Sequence, residues 1–174
     1  MIEIRPALYS DFASIARLHT DNWRMNYRGI LSDYYLDHQV EQDRLKTWRQ
    51  RLQDPLKNQY ITIATLDDNL IGFCCIYIND DPVFGTLIDN LHVSSQCQNM
   101  GIGKMLVKES AKILSIEANS KKMYLWVYEA NTNARIVYDR YGGINFETLK
   151  KQNPDGTDSN VCRIIWSDAS IFIA

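Results

Sequence analysis

The spacing of hydrophobic residues along the chain switches repeatedly between the period of a strand and that of a helix. Met123, Leu125 and Val127 recur at every second position, which is typical of a strand with two different faces. Ile15 and His19 belong to a helical pattern that ends shortly before a glycine. The predicted strands span residues 2–5, 59–66, 70–79, 85–93, 122–128, 144–150 and 160–166, and the predicted helices span about 10–27, 32–52, 102–119 and 134–141.

The order of these elements predicts the class of fold. The patterns follow the order β-α-α-β-β-β-α-β-α-β-β, and no internal repeat or linker interrupts them. Short turns join the middle strands, which should pair antiparallel, whereas residues 85–128 form a parallel β-α-β unit. We therefore expect one α/β domain over residues 1–174, with a mixed central sheet of about seven strands flanked by about four helices.

Composition and charge narrow the range of functions. The net charge of −2 lacks the basic excess on which nucleic-acid binding depends, so we expect no nucleic-acid partner. No apolar run approaches the roughly 20 residues that cross a bilayer. Residues 1–6 also lack the pattern of a signal peptide. We therefore expect a cytoplasmic protein with no membrane partner.

Cysteine and histidine residues give no sign of a metal site. The four cysteines include no C-x-x-C pair, and the three histidines lack the spacing of metal ligands. We expect no metal, and reduced thiols that mostly fill the core. The oligomeric state is open between monomer and homodimer, since the apolar residues 171–173 could pack across a dimer.

The most informative local feature is a glycine-containing turn between a strand and a helix. The strand ends at Val93, and Gln98, Gly101 and Gly103 follow just before the next helical pattern. Backbone amides in the first turn of a helix have no partner inside the helix, and glycine lets a ligand approach them closely. Because the helix dipole also favours negative charge there, the turn predicts a site for a pyrophosphate-bearing ligand.

Two common phosphate-binding motifs do not fit this turn. A dinucleotide-binding fingerprint needs a third glycine three positions after Gly103, where the chain has Leu106. A P-loop needs serine or threonine after its lysine, whereas Met105 follows Lys104. A nucleotide-phosphate binder of either kind is therefore disfavoured.

Two motifs together resemble those of the GNAT superfamily of N-acetyltransferases. The Q-x-x-G-x-G at positions 98–103 resembles the acyl-CoA-binding motif Q/R-x-x-G-x-G/A, and the N-x-x-A-x-x-x-Y at positions 131–138 resembles a helix motif of the same family. The order of elements also matches, so the resemblance covers nearly the whole chain. There are two departures. Gly143 stands where many members have phenylalanine, and the nearest acid on the fourth strand is Asp89 rather than a glutamate.

The resemblance implies that acetyl-CoA binds as the acyl donor. Amides of residues 100–104 would hold the pyrophosphate, and the pantetheine arm would pair with free backbone groups near Leu91 and Val93. Lys104 either adds charge at the rim or is an ordinary solvated helix residue. The residues implied for cofactor binding are Leu91, His92, Val93, Gln98, Asn99, Met100, Gly101, Ile102, Gly103, Lys104, Asn131, Ala134 and Tyr138.

The resemblance also implies catalytic residues, each with a structural alternative. Tyr138 would donate a proton to the departing CoA thiolate, since a phenol with a pKa of about 10 keeps its proton at neutral pH. Alternatively, it is an aromatic core residue. Asp89 would take the proton of the acceptor amine, or else is solvated or paired with a nearby lysine. Simple alternation puts His92 on the opposite side of the strand from Asp89, which favours a structural or surface role for His92.

The expected reaction is the transfer of an acetyl group from acetyl-CoA to a primary amine of a small molecule, peptide or protein by direct attack. The alternative is a CoA-binding module or sensor without efficient catalysis. Cys97 lies in the turn, but no histidine or acid is spaced to activate it as a nucleophile. The residues expected to line the acceptor pocket, unless they only fill the core, are His19, Asn22, Trp23, Tyr27, Tyr124, Trp126 and Tyr128.

Overall fold

A seven-stranded mixed sheet forms the centre of the protein, in a computed structural model that describes residues 1–173. Within that range the strands β1 to β7 span Ile2–Pro6, Gln59–Leu66, Asn69–Asp81, Gly85–Val93, Met123–Tyr128, Ile144–Gln152 and Asp158–Trp166. The α-helices α1 to α5 span Phe12–Asn26, Asp33–His38, Val40–Gln53, Ile102–Glu117 and Thr132–Arg140. The predicted α/β class and element order are confirmed, with five α-helices in place of about four.

The additional helix arises because the predicted helix over residues 32–52 is broken in two. Gln39 lies between α2 and α3 with a φ of −119°, outside the helical range. The carbonyl oxygen of Leu36 accepts a hydrogen bond from the Arg24 side chain on α1, with Nε at 2.9 Å. Leu36 and Val40, on either side of the break, both belong to a buried cluster with Trp23. The Leu36 carbonyl therefore bonds to a side chain of α1 instead of to the N–H of Val40, which is a long-range contact that the local pattern does not show.

The strand order is β1-β2-β3-β4-β5-β7-β6. Neighbouring strands pair antiparallel except β4 and β5, which are parallel and are connected through α4. The parallel pair lies in the middle of the sheet. Its position places the turn before α4 at the C-terminal end of β4, beside the end of β5.

The two faces of the sheet carry different helices. Leu106 of α4 lies in a buried cluster with Ile76 and Ile88 on one face. Ile15 of α1 and Trp48 of α3 pack with other buried residues on the opposite face. The close approach of α4 depends on Gly72 of β3, because a Cβ there would lie 3.1 Å from the side chains of both Ile102 and Leu106.

Three general properties of the chain follow from the same structure. No helix within residues 1–173 is both long and apolar enough to cross a membrane. The four cysteines are all free, and Cys74, Cys75 and Cys162 are buried. In the same residues, no group of three or more His, Cys, Asp or Glu side chains is placed to hold a metal ion.

Candidate active site

The central feature of the site is a gap between the two parallel strands. The β4–β5 pairing includes only three residue pairs, from Thr86 with Met123 to Ile88 with Leu125. Beyond these the strands separate, and a cleft of about 980 Å³ opens between them. Val93 pairs with Gly72 at the end of the β3–β4 ladder, and its carbonyl accepts a hydrogen bond from Nδ2 of Asn22 at 3.1 Å. By the two-residue period of a strand, the backbone of Leu91 also faces the gap.

The glycine turn lies at the end of this gap. Asn99 and Gly101 both have left-handed backbones, with φ of 64° and 76°, and Gly101 is the N-cap of α4. Within residues 1–173, none of the backbone N–H groups of residues 100–104 has a hydrogen-bond acceptor, and the α4 ladder begins with N–H of Met105 donating to the Gly101 carbonyl at 3.0 Å. Free amides at a helix start form a site for an anion.

The cleft brings together most of the residues implied for cofactor binding. Met100, Ile102 and Lys104 are not among its lining residues, and Ile102 is buried in the core, so only its backbone can serve a ligand. The other ten implied residues line it: Leu91, His92, Val93, Gln98, Asn99, Gly101, Gly103, Asn131, Ala134 and Tyr138.

A β-bulge changes the position predicted for Asp89. Asn90 pairs with Cys75 and Ile88 pairs with Ile76, so Asp89 is an extra residue with no partner on β3. The sequence predicted that Asp89 shares a face with Leu91, but this is wrong.

The bulge turns Asp89 toward α3 instead. Its Oδ2 lies 2.7 Å from Nη1 of Arg51, and the same nitrogen donates to Oδ1 of Asn90 at 2.9 Å. Asp89 therefore lines the cleft as part of an ion pair. Of the two alternatives for Asp89, a solvated or a paired carboxylate, the structure shows the paired one. Its partner is Arg51 and not a lysine.

Two histidines pack against each other behind this part of β4. His92 lines the cleft, and its ring centroid lies 4.4 Å from that of the fully buried His19. Nδ1 of His19 accepts a hydrogen bond from Nε1 of Trp48 at 2.9 Å, so the neutral ring carries its hydrogen on Nε2. Burial, followed by the charge of Arg44, lowers the pKa of His92 to about 4. His92 therefore lies in the cleft as a neutral imidazole, although the sequence favoured a structural or surface role.

Tyr138 projects from α5 into the same cleft. The N-cap Asn131 accepts a hydrogen bond from N–H of Ala134 at 3.3 Å, which fixes the start of α5. The Tyr138 ring meets Trp166 edge-on, and its hydroxyl makes no hydrogen bond with any residue of the described chain. Burial raises the pKa of Tyr138, so its hydroxyl stays protonated at neutral pH.

The glycine that departs from the family pattern has a packing reason. A Cβ on Gly143 would lie 2.5 Å from the side chain of Ile164 and 2.7 Å from that of Trp166. The chain leaving α5 therefore passes too close to β7 for any side chain at this position. This contact holds the end of the helix that carries Tyr138.

The acceptor side of the cleft contains most, but not all, of the predicted aromatic residues. His19 is buried behind His92, and Tyr124 is buried with its hydroxyl donating to Asp80, so for these two residues the alternative of core packing holds. Asn22, Trp23, Tyr27, Trp126 and Tyr128 do line the cleft, and Tyr27 meets Tyr128 edge-on at 4.9 Å.

The β6–β7 hairpin supplies functional residues that the sequence analysis missed. Lys151, Gln152 and Asn153 line the acceptor side. Oδ2 of Asp155 in the hairpin accepts a hydrogen bond from N–H of Ser32 at 2.6 Å, which joins the hairpin to the loop after α1. The two strands of the hairpin were predicted, but nothing in the local pattern indicates that the turn between them reaches this loop.

The fold and the splayed parallel strands, with an anion-binding turn beside them, define an acyltransferase of the type that uses an acyl-CoA donor. The family model described as the acetyltransferase (GNAT) family matches residues 15–143, which is most of the chain. The chain therefore belongs to the acetyltransferase (GNAT) family, and it is an acyltransferase enzyme with acetyl-CoA as the donor. The resemblance noted in the sequence is confirmed, and the alternative of a non-catalytic sensor is not supported.

Individual relatives agree with this assignment. The uncharacterized N-acetyltransferase YuaI of Bacillus subtilis is 26% identical over 144 residues, which cover 81% of this chain and 79% of that protein. The probable N-acetyltransferase Rv2775 of Mycobacterium tuberculosis is 29% identical over 140 residues, covering 80% and 78%. The crystal structure of a PaiA N-acetyltransferase from Thermoplasma acidophilum in complex with coenzyme A has a similar fold, with a TM-score of 0.71 and 20% identity over 94% of this chain and 98% of that one.

Proposed function

We propose that the protein transfers the acetyl group of acetyl-CoA directly to a primary amine, without a covalent enzyme intermediate. The observation that carries this proposal is the opening between β4 and β5, which leads to a turn whose amides have no hydrogen-bond partner in the described part of the chain. The similarly folded PaiA N-acetyltransferase was crystallised with coenzyme A, which is consistent with a cofactor cleft in this fold.

The cofactor would bind along the gap with its diphosphate at the turn. Amides of residues 100–104 would bind the diphosphate, with the left-handed Gly101 shaping the approach. The pantetheine amides would pair with backbone groups near Leu91 and Val93, as an added strand does. Asn131 and Ala134 would border the arm from α5, where Ala134 leaves room for it.

Tyr138 is proposed as the general acid. Attack of the amine on the thioester carbonyl forms the C–N bond and breaks the C–S bond, which releases the CoA thiolate. The Tyr138 hydroxyl lies in the cleft, makes no hydrogen bond with residues 1–173 and keeps its proton at neutral pH because burial raises its pKa. It is therefore suited to protonating that sulfur.

The acceptor of the amine proton is proposed to be Asp89 or His92, acting directly or through water. Asp89 was the residue implied by the resemblance, but Arg51 occupies one of its oxygens and balances its charge. His92 lines the cleft as a neutral ring, and its Nδ1 lies 3.5 Å from Nδ2 of Asn22, which can only donate to it. Separate substitutions distinguish the two residues.

A covalent route through a cysteine is not supported by the thiols of the chain. Cys74 and Cys75 are buried, and burial raises the pKa of Cys74 to about 12 and that of Cys75 further. Thiols in that state are not nucleophilic at neutral pH. Cys97 makes no hydrogen bond with a histidine or a carboxylate in the described chain.

The test combines cofactor binding with turnover. Acetyl-CoA is titrated into the protein by calorimetry, and release of free CoA thiol is then followed with a panel of primary amines. We expect binding, amine-dependent thiol release and no acetylated protein by intact mass spectrometry. Binding without thiol release for any amine would leave only the CoA-binding sensor, and a stable acetyl adduct on a cysteine would contradict direct attack.

We also propose that residues 1–174 act as one acetyltransferase domain in the cytoplasm, as a monomer or a homodimer. Four free cysteines, three of them buried, are consistent with a reducing compartment. The fold match covers 94% of this chain and 98% of the PaiA structure, which is consistent with a single domain. Sedimentation of the purified chain would distinguish monomer from dimer.

A further inference from the structure

The acceptor side of the cleft carries one unpaired charge, and it is positive. Among the side chains that line the cleft in the described chain, only Asp89 and Lys151 are charged. Asp89 is paired with Arg51, whereas Lys151 has no salt-bridge partner within residues 1–173. The charge available to a bound acceptor is therefore the ammonium group of Lys151.

Lys151 is directed to the acceptor side by an aromatic contact. It lies on the edge strand β6, opposite Ser159 of β7, and its Nζ reaches across to lie 3.4 Å from the centroid of the Trp126 ring on β5. A cation above the face of a tryptophan is attracted by the ring, so this contact holds the side chain over the cleft. Trp126 itself lines the cleft.

The nearby carboxylates are bound to other groups. Glu147 lies 2.7 Å from Nε of Arg163, and Asp158 lies 3.2 Å from Nζ of the neighbouring Lys150. Asp155 accepts hydrogen bonds from the backbone of Ser32 and from Thr157. None of these acids forms a salt bridge with Lys151 in the described chain, so its charge remains available to a ligand.

We propose that the acceptor is a small primary amine that also carries a negatively charged group, a carboxylate or a phosphate, and that Lys151 binds this group. This inference rests on the proposed acetyl transfer to an amine and specifies its substrate class. The aromatic rings of Trp126 and Tyr128 would pack against the carbon skeleton between the amine and the anion. Polyamines, which carry several positive charges, would be repelled by Lys151.

The hairpin contact supports a small acceptor rather than a surface lysine of a folded protein. The hydrogen bond from Ser32 to Asp155 and the packing of Tyr27 on Tyr128 join the two sides of the acceptor region. Such a bridge leaves a bounded opening in place of a long open groove. A compact amine fits that opening, with its anionic group on the side of Lys151.

Matched pairs of acceptors test the proposal by thiol release. Each α-amino acid of a panel is compared with its carboxamide, which keeps the amine and side chain but lacks the carboxylate. O-phosphoethanolamine is compared with ethanolamine, and spermidine and putrescine represent the polycations. We expect kcat/KM for at least one anionic acceptor to exceed that of its neutral partner about tenfold or more. The two kinds of pair show whether the anion is a carboxylate or a phosphate.

Variants then assign the preference to Lys151. Lys151→Gln should raise KM for the anionic acceptor about tenfold with kcat little changed, and should leave the neutral partner unaffected. Lys151→Glu should reverse the order in favour of the polyamines. Lys150→Gln removes the adjacent positive charge, which is paired with Asp158 outside the cleft, and should leave the preference intact.

The failure of this inference is distinguishable from failure of the proposed function. Faster turnover of neutral amines or polyamines would overturn the inference while acetyl transfer stands. Equal effects of Lys151→Gln on both members of a pair would overturn it as well, as would CoA binding without turnover of any anionic acceptor. If the protein neither bound CoA nor released thiol with any amine, the proposed function itself would fail.

Discussion

The rings of His19 and His92 lie in contact, with their centroids 4.4 Å apart. His19 comes from α1 and His92 from β4, so the contact joins the helix layer to the strand that borders the cleft. Burial, followed by the proximity of His92, lowers the pKa of His19 well below its ordinary value. Burial disfavours the charged form of each ring, so both rings are neutral at pH 7.

The first prediction is that the free energy of unfolding falls when the pH is lowered from 7 to 5. The pKa of His92 is about 4 in the folded protein and about 6.5 when unfolded, so the unfolded chain binds more protons between these values. Stability is therefore complete above pH 6.5 and is lost as the pH falls toward 4. For His92 alone the loss by pH 5 should be about 2 kcal/mol. Urea unfolding at each pH measures it.

The matched control for this prediction is His38, an exposed histidine at the end of α2. His92→Gln should reduce the dependence of stability on pH, even if it lowers stability at pH 7, whereas His38→Gln should leave the dependence unchanged. The opposite pattern, with the slope following His38, would show that His92 is already protonated or solvated in the folded state.

The second prediction separates His92 from Asp89 as the acceptor of the amine proton. If His92 takes the proton, His92→Phe should lower kcat by about a hundredfold, and the acidic limb of the wild-type kcat profile should lie near pH 4 rather than 6.5. Asp89→Asn should have a smaller effect, because Arg51 already balances that charge. A larger loss in Asp89→Asn, with His92→Phe close to wild type, would assign the proton to Asp89.

The third prediction concerns Tyr138. Tyr138→Phe removes only the hydroxyl, so kcat should fall about a hundredfold while the Kd for CoA changes little. Stopped-flow thiol detection measures the first quantity and calorimetry the second. Tyr34→Phe removes a hydroxyl from an exposed ring on α2 and should leave both unchanged. Unchanged turnover in Tyr138→Phe would exclude its role as the general acid.

The sequence predicted what short-range patterns determine and missed what distant contacts determine. The bounds of β2 and β4 were predicted as observed, since alternation along a strand and the turns at its ends are local signals. The face of Asp89 was predicted wrongly because alternation assumes an uninterrupted ladder, and the bulge that interrupts it is visible only in the pairing with β3.

The difference between short-range patterns and distant contacts also explains which residues of the candidate site were predicted and which were missed. The glycine turn and the α5 motif are each contiguous in sequence, so the turn was found from its spacing and the α5 residues from their resemblance to a family motif. Lys151 was missed because its contact depends on the order of the strands in the sheet. There β7 lies between β5 and β6, although β6 comes before β7 in the chain. This arrangement lets the Lys151 side chain reach Trp126. Tyr124 was included because it alternates with Trp126, but its position nearer the start of β5 places it beside Phe84, away from the cleft.

The last prediction separates a loss of CoA binding at the turn before α4 from a loss of stability caused by backbone strain alone. Gly101 has a φ of +76°, and Gly29, in the loop after α1, has a φ of +78°; neither has an atom within 4 Å of the place where a Cβ would be. A valine at either position should therefore cost a similar free energy of folding, about 1–2 kcal/mol, because a β-branched residue is strained in the left-handed region. Only Gly101→Val also moves the free amides at the start of α4, so only this variant should weaken CoA binding, by at least about tenfold. Thermal unfolding measures the first effect and calorimetry with CoA the second. Equal CoA affinity in the two variants would mean that the diphosphate binds elsewhere.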